Sequence, residues 1–455
     1  MKALLPLLIA LLIWPVDART AAAQAQPGML SDEGGLSMPA ILSMWERARV
    51  IDEMLEDRLR TVVPALMRRE GFDMWIIAAR EYNEDPVIET MLPSTWLAAR
   101  RRTVLVLFDN GDTVEGLAVA RYAVGSLFKA AWDPEEQPDQ WQALADLIAD
   151  KDPSRIGINV SETFALGDGL THSEYEGLMA ALSPELHDRV DSAARLAIGW
   201  LETRTDAEMS VYPQIVRIAR TIIREGFSDR VITPGVTTTD DVVWWYRQRI
   251  RDLGLITWFH PSVSVQRAET GGRDGDFSDR PDAAIIQRGD LLHVDFGIKY
   301  LRLNTDTQQH AYVLRPGETD APEGLRAALA VGNRLQDILT GQFVTGRSGN
   351  QILAGALEQA RAEGIRPSIY THPIGFHGHA AGPTIGLWDQ QGGVPGRGDY
   401  PLFPMTAHSI ELNATVAIPE WGNQDIRIML EEDALFDGND VWYIDPRQER
   451  MYLIR

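Results

Sequence analysis

The sequence contains no cysteine in its 455 residues. This absence excludes disulfides, thiolate metal ligands and a cysteine nucleophile, and it also excludes a lipoprotein anchor. Any bound metal would have to be held by carboxylate and imidazole groups. Positive charge is also scarce, since 43 Lys and Arg stand against 65 Asp and Glu and the formal net charge is −22. An acidic surface repels phosphate backbones, so we expect no nucleic-acid partner.

The first 25 residues differ in composition from the rest of the chain. Lys2 precedes an apolar run from Leu4 to Trp14, and Ala23-Gln24-Ala25 fits the small-x-small pattern that signal peptidase cleaves. The run is too short to remain as a membrane anchor. We therefore predict a signal peptide over residues 1–25, a periplasmic or secreted mature protein, and no membrane association after cleavage. Residues 26–38 are predicted to be a flexible spacer.

Residues 39–195 alternate between helical and strand-like segments and are predicted to form a mixed α/β domain. Apolar residues at helical spacing predict a helix from Trp45 to Gly71. Uninterrupted apolar runs at 74–78 and 103–108 predict two buried strands.

The second half of the chain, 205–455, separates its helices from its strands. Helices are predicted at 206–226, 242–253, 323–339 and 350–363. Strand-rich stretches are predicted at 284–315, 368–390 and 404–436. Pro213 is expected to kink or delay the first of these helices. Segregation of the two element types in blocks predicts an α+β fold.

A β-hairpin after residue 290 carries two aspartates. Apolar and polar residues alternate around Asp295 and again around Asp306, which predicts two strands with one polar face each. A turn between Tyr300 and Leu301 would place the two aspartates directly opposite each other. Because like charges in that position repel, a shared proton or a divalent cation is needed to compensate them. The alternative is that both carboxylates face water.

Further candidate ligands follow the hairpin. Glu411 and Glu431 lie in β-prone segments, and His372, His377 and His379 lie between them and the hairpin in a Gly-rich stretch. Carboxylates combined with imidazole suit hard or borderline divalent ions.

The order of these residues resembles that of the pita-bread (M24-type) metallopeptidases, which include methionine aminopeptidase, aminopeptidase P, prolidase and creatinase. The motifs that carry the resemblance are Val294-Asp-Phe-Gly297, Thr305-Asp306-Thr307, His372-Pro-Ile-Gly-x-His377-Gly, the segment Met405–Glu411 and the segment Ile428–Phe436. The resemblance covers 205–455 and extends weakly to 39–195, which is similar to the amino-terminal domain of aminopeptidase P, prolidase and creatinase. Methionine aminopeptidase lacks that domain and is therefore the more distant relative.

The resemblance implies a carboxy-terminal pita-bread domain, a smaller creatinase-like amino-terminal domain, and two divalent ions, with manganese first and zinc, cobalt or iron as alternatives. The implied metal ligands are Asp295, Asp306, His377, Glu411 and Glu431. The residues with implied catalytic roles are Glu411, His372 and His379. A hydroxide between the ions would attack the scissile amide of an Xaa-Pro peptide while Glu411 moves its proton. A homodimer is a further expectation.

Two ligand assignments stay open in the sequence. The metal-binding histidine is His377 or His379, with His377 favoured, and the last glutamate is Glu431 or Glu432, with Glu431 favoured.

The sequence also departs from the family's pattern. Gly275–Asp279 lacks the histidine that usually binds substrate, Leu387-Trp388-Asp389 replaces a His-Glu pair, and Thr307-Gln308 replaces a Thr-Arg pair. His260 or His379 would have to substitute for the missing histidines. These departures leave room for an alternative on the same fold, a creatinase-like C–N hydrolase or lyase acting on a small amide. An inactive binding relative is a third, less favoured alternative, because all the ligand types are present.

Overall fold

The computed structural model describes residues 37–268 and 283–455. The predicted signal peptide and most of the predicted spacer lie outside the described residues, as does the segment Gly275–Asp279. Among the described residues, no helix is both long and apolar enough to cross a membrane.

Most helices of the described chain begin and end near the predicted positions. They are α1 (Met44–Glu70), α2 (Pro86–Met91), α3 (Gln140–Lys151), α4 (His172–Ala181), α5 (Pro184–His187), α6 (Ala194–Glu202), α7 (Asp206–Gly226), α8 (Thr239–Asp252), α9 (Glu323–Thr340) and α10 (Gly349–Ala362). The short helices α2, α5 and α6 were not predicted. Pro213 does not delay α7, which begins at Asp206.

Local sequence explains the positions of several helix ends. Ser43 and Glu46 form a capping box at the start of α1, and Gly71 ends that helix in the left-handed conformation with φ 72°. Thr238 caps α8 in the same way with Asp241. These contacts satisfy backbone N–H groups that have no partner inside the helix.

The strands of the described chain are short. They are β1 (Met74–Arg80), β2 (Arg102–Asp109), β3 (Val114–Ala120), β4 (Lys129–Ala130), β5 (Ile156–Ile158), β6 (Val190–Ser192), β7 (Ser262–Gln266), β8 (Leu291–Phe296), β9 (Lys299–Tyr300), β10 (Leu303–Asn304), β11 (Thr307–Val313), β12 (Arg366–Ile369), β13 (His372–Pro373), β14 (Thr406–Ser409), β15 (Leu412–Ile418), β16 (Gln424–Leu430), β17 (Asp433–Phe436), β18 (Val441–Tyr443) and β19 (Tyr452–Ile454).

The first six strands form a mixed sheet in the order β4-β3-β2-β1-β5-β6. Successive residues of β1 enter different cores: Trp75 and Ile77 pack with α1 and α6, whereas Met74 and Ile76 pack with α3 and α4. Helices on both faces explain why β1 has an uninterrupted apolar sequence instead of an alternating one.

The later strands form two four-stranded sheets, β19-β11-β8-β7 and β13-β14-β17-β18, and a three-stranded sheet, β12-β15-β16. Together with α7 to α10 they make the mixed fold that the sequence predicted. Residues Met38–Arg455 cluster as one compact unit, so the division predicted between 195 and 205 stays a prediction.

The prediction of a strand-rich stretch at 368–390 is wrong over most of its length. After β13 the chain continues to residue 390 in turns and isolated bridges. Gly378 shows one reason, because a Cβ atom there would lie 2.3 Å from the indole of Trp258. Close contact with this ring replaces regular strand pairing.

The predicted register of the hairpin is also wrong, by two residues. Asp295 pairs with Gln308, because Leu301 and Arg302 form the turn, both with left-handed φ angles of 51° and 68°. Neither residue favours that conformation, so the sequence does not signal the turn. A shift of two residues keeps side chains on the same face, so the polar faces of the two strands still coincide.

A buried ionic cluster connects α1 to α7 and contacts the loop that follows β13. Arg58 Nη1 lies 3.0 Å from Glu208 Oε2, and both side chains are almost completely buried. Arg204 also contacts Glu208, and the Arg58 guanidinium stacks on the rings of Trp200 and Phe376. Burial lowers the pKa of Arg58 to about 10, although the charge of Glu208 opposes this shift.

We expect Glu208→Gln to destabilise the protein by about 3–5 kcal/mol, because it leaves two buried guanidinium groups without their counter-charge. Glutamine can still serve in the capping box that Glu208 forms with Thr205, so the change isolates the charge. Urea-induced unfolding measures the effect. Glu363→Gln, at the solvent-exposed pair with Arg334, is the matched control and should change stability little. Equal effects of the two substitutions would contradict the prediction.

Candidate metal centre

Five ionisable side chains converge where several strands meet. They are Asp295 on β8, Asp306 just before β11, His372 at the start of β13, Glu411 between β14 and β15, and Glu431 between β16 and β17. These five residues and His379 make up three overlapping groups, and within each group the ligand atoms all lie within 4.8 Å of one another. The groups are Asp295–Asp306–Glu431, His372–Glu411–Glu431 and Asp306–His372–His379.

His372 lies at the centre of the cluster. Its Nε2 atom is 3.3 Å from Glu431 Oε1, 3.6 Å from Asp306 Oδ2 and 4.0 Å from Glu411 Oε2. The residue is positioned by the pairing of β13 with β14, in which His372 is opposite Ser409. An imidazole surrounded by three carboxylates is a geometry suited to metal binding.

Backbone pairing fixes Glu431 beside the hairpin. Gln308 N donates to Glu431 O at 3.0 Å, and Glu431 N donates to Gln308 O at 3.3 Å. Asp306 is held differently, since its backbone N–H points to the carboxylate of Asp433 at 3.3 Å. The ligand positions therefore depend on contacts between segments more than 100 residues apart in the sequence.

The electrostatics of the cluster reflect crowding of negative charge. Burial, together with the charge of Glu431, raises the pKa values of Asp295, Asp306 and Glu411 well above their usual range. Burial alone would lower the pKa of His372, but contact with Glu431 and the charges of Glu431 and Glu411 raise it to about 9. Without a cation, protons would have to neutralise part of this charge.

The residues present fit a divalent cation. Oδ1 of Asp295 and Oδ1 of Asp306 are buried, and no N–H or hydroxyl donor from the described residues reaches either atom. A buried polar atom without a partner is costly unless something outside the chain satisfies it. Carboxylate oxygens together with one imidazole are ligands for hard or borderline ions such as Mn²⁺.

His377, the predicted metal-binding histidine, belongs to none of these ligand groups. The structure places His372 there instead. Burial and the positive charges of Lys299 and Arg204 lower the pKa of His377 to about 4, so its surroundings are cationic. The prediction of His377 came from the His-Pro-Ile-Gly motif, and in the structure the strand ends at Pro373, before His377.

His379 lies at the edge of the cluster. Its ring centroid is 4.7 Å from that of His372 and 5.1 Å from that of Trp258, both in edge-on contact. Burial and the positive charge of His372 lower the pKa of His379 to about 4. His260 lies elsewhere, with its Nδ1 2.9 Å from Arg247 and its ring against Trp244.

The ambiguity between the two neighbouring glutamates is resolved by which face of the strand each one occupies. Glu431 points into the cluster, whereas Glu432 points away and accepts hydrogen bonds from Gln309 Nε2 and from the backbone N–H of Gln448. Gln308 is a residue of the site that sequence reasoning treated only as a departure from the family pattern. Its position two residues after Asp306, on the same face, was the signal that could have identified it.

The described residues thus combine a mixed fold with a buried cluster of carboxylates and imidazole that could hold a metal ion. Comparison with known protein families agrees with this interpretation. Residues 213–435 match the model of metallopeptidase family M24, so the chain contains an M24 domain of the pita-bread type. The family resemblance found in the sequence is confirmed. Among curated proteins, none matches the chain significantly.

Solved structures with the same fold include three peptidases. An X-Pro aminopeptidase from Thermotoga maritima has a TM-score of 0.61 and 16% identity, with 86% of this chain and 99% of that chain covered. An Xaa-Pro dipeptidase from Bacillus anthracis has a TM-score of 0.56 and 14% identity, covering 90% and 100%. A prolidase from Pyrococcus horikoshii has a TM-score of 0.54 and 13% identity, covering 89% and 99%. At these identities the likeness concerns the fold.

Replacement of the two candidate histidines should separate their roles. We expect His372→Ala to weaken Mn²⁺ binding by more than about a hundredfold. This loss would exceed the effect of replacing a residue that only supports the ligands. His377→Ala should leave the affinity close to that of the wild type, because its ring lies among cations. Titration calorimetry with Mn²⁺ measures both, and loss of affinity in the His377 variant alone would refute the assignment.

Metal binding should release protons near neutral pH. Carboxyl groups with raised pKa values, and His372 with a pKa near 9, carry protons that a cation must displace. The apparent affinity for the metal should therefore increase with pH, by about tenfold per pH unit for each proton released. Calorimetry in buffers of different ionisation enthalpy counts the protons. An observed enthalpy independent of the buffer would show that none is released.

Proposed function

We propose that this protein is a metal-dependent peptidase that binds two divalent ions and cleaves Xaa-Pro bonds. The observation that carries the proposal is that two ligand groups, Asp295–Asp306–Glu431 and His372–Glu411–Glu431, share Glu431. A carboxylate has two oxygens and can bridge two ions, so a shared glutamate is the arrangement that a pair of ions requires. Asp306 belongs to the first group and also lies 3.6 Å from His372 Nε2, so it would be within reach of both ions.

A pair of divalent ions bound by these residues supplies an activated water and polarises the substrate carbonyl. Glu411 is suited to move the proton, because it is the most exposed of the three carboxylates within 4.0 Å of His372 Nε2, with 12% of its side chain accessible. Its raised pKa, caused by burial and by the charge of Glu431, lets it accept a proton from water and pass it to the leaving amine.

His379 is the candidate for positioning the substrate. Its pKa of about 4 keeps the ring neutral at physiological pH, so one ring nitrogen can donate a hydrogen bond to a substrate carbonyl. This proposal assigns His379 the task of the histidines that the sequence lacks. The Xaa-Pro specificity is supported by the fold neighbours, which are Xaa-Pro aminopeptidases and dipeptidases over almost their full length.

We also propose that the protein is exported with cleavage near Ala25. This proposal is supported by the apolar run and the Ala-x-Ala pattern of the first 25 residues. Manganese as the native metal and a homodimeric assembly remain predictions of the same kind.

We expect Asp306→Asn to abolish metal binding and turnover together, because the substitution removes a bridging charge from the ligand set. The assay is hydrolysis of a panel of Xaa-Pro peptides by the Mn²⁺-loaded protein, with metal content measured by elemental analysis. Asp425→Asn is the matched control, because Asp425 forms only an exposed pair with Arg366. We expect this control to keep both properties.

Two results would contradict the proposal. Equal peptide hydrolysis by Asp306→Asn and the wild type would exclude a metal-dependent mechanism at this site. A wild-type protein that binds metal but cleaves none of the Xaa-Pro peptides would instead favour a non-peptidase reaction, such as creatinase-like C–N hydrolysis or a lyase reaction.

A further inference from the structure

Gln308 contacts both glutamates of the candidate metal centre. Its Nε2 donates to Glu411 Oε1 at 2.5 Å and to Glu431 Oε2 at 2.9 Å. The side chain is only 1% exposed, so these bonds do not compete with water. One amide therefore links two carboxylates that repel each other.

His293 fixes the direction of this amide. His293 Nε2 lies 2.9 Å from Gln308 Oε1, and His293 is 6% exposed. Since Oε1 can only accept a hydrogen bond, Nε2 must be the donor. The reverse orientation would direct the amide oxygen at two carboxylates and lose both bonds to the glutamates. The orientation of Gln308 is thus determined by its surroundings on both sides.

The amide also divides the oxygens of each glutamate. Gln308 donates to Oε1 of Glu411 and to Oε2 of Glu431. His372 Nε2 faces the other oxygen of each glutamate, Oε2 of Glu411 and Oε1 of Glu431. Ser409 Oγ donates to the same Oε1 of Glu431 at 2.7 Å. Gln308 therefore binds one oxygen of each glutamate, and the other oxygen of each, which in Glu431 also accepts from Ser409, is directed toward the imidazole.

We propose that Gln308, oriented by His293, is a positioning residue that sets the orientation of Glu411 and Glu431 and thereby the affinity of the centre for divalent cations. This inference rests on the metal site of the proposed function but not on its substrate. Gln308 touches no reacting atom in this scheme. It supplies two N–H donors that hold the adjacent carboxylates rotated toward His372.

The test is titration calorimetry of the purified full chain with Mn²⁺ alone. Gln308→Met keeps the length of the side chain and removes its donors. We expect it to raise the Mn²⁺ dissociation constant by about 10–100-fold. Gln309→Met is the matched control, because the neighbouring glutamine points to the opposite face and contacts Glu432 and Tyr452. This control should bind Mn²⁺ as the wild type does. Thermal unfolding of each variant verifies that it is folded.

A double-mutant cycle tests whether His293 acts through Gln308. His293→Leu should weaken Mn²⁺ binding in the wild-type background and have little further effect in Gln308→Met, since the amide it orients is then absent. Additive effects of the two substitutions would overturn the inference that His293 acts through Gln308.

Other outcomes are also decisive. Wild-type affinity in Gln308→Met, or an equal loss in Gln309→Met, would overturn the positioning role. A wild-type protein that binds Mn²⁺ but cleaves no Xaa-Pro peptide would overturn the proposed reaction, while the calorimetric difference between Gln308→Met and Gln309→Met would still support this inference. A wild-type protein that binds no Mn²⁺ would overturn both.

Discussion

Mutual repulsion among buried carboxylates is the constraint on which the rest of this structure depends. Asp295, Asp306, Glu411 and Glu431 lie within reach of one imidazole and are largely removed from water. Each buried charge costs several kcal/mol unless a counter-charge or a proton compensates it. The raised pKa values of Asp295, Asp306 and Glu411, caused first by burial, express this cost. The same repulsion among the carboxylates favours binding of a divalent cation, which neutralises their charge.

The surrounding fold holds the carboxylates in place by hydrogen bonds to their side chains and backbone. Gln308 and Ser409 donate to the glutamates, and Asp433 accepts the backbone N–H of Asp306. Next to the loop that follows β13, the ion pair between Arg58 and Glu208 connects α1 to α7. Because the ligands come from five different strand ends or links, the packing of the whole M24 domain decides their distances.

Features that depend on neighbouring residues could be predicted from the sequence. The capping boxes at Ser43 and Thr238 are signals of this kind, because the interacting groups are three residues apart. The shared face of Asp295 and Asp306 was also predictable, since strand alternation is a local property. The register between them was not, because it depends on a left-handed turn at Leu301 and Arg302 that their side chains do not favour.

The sequence by itself determined the mixed fold, the family resemblance and the carboxylates of the candidate centre, because periodicity, order and spacing are properties of the chain. Only the tertiary structure decided that His372, and not His377, lies among them. The chain leaves the strand after Pro373, and from there a loop packed on Trp258 directs His379 toward the carboxylates and His377 toward Lys299 and Arg204. Nor could spacing show that Gln308 joins Glu411 to Glu431, because these contacts span more than 100 residues of chain.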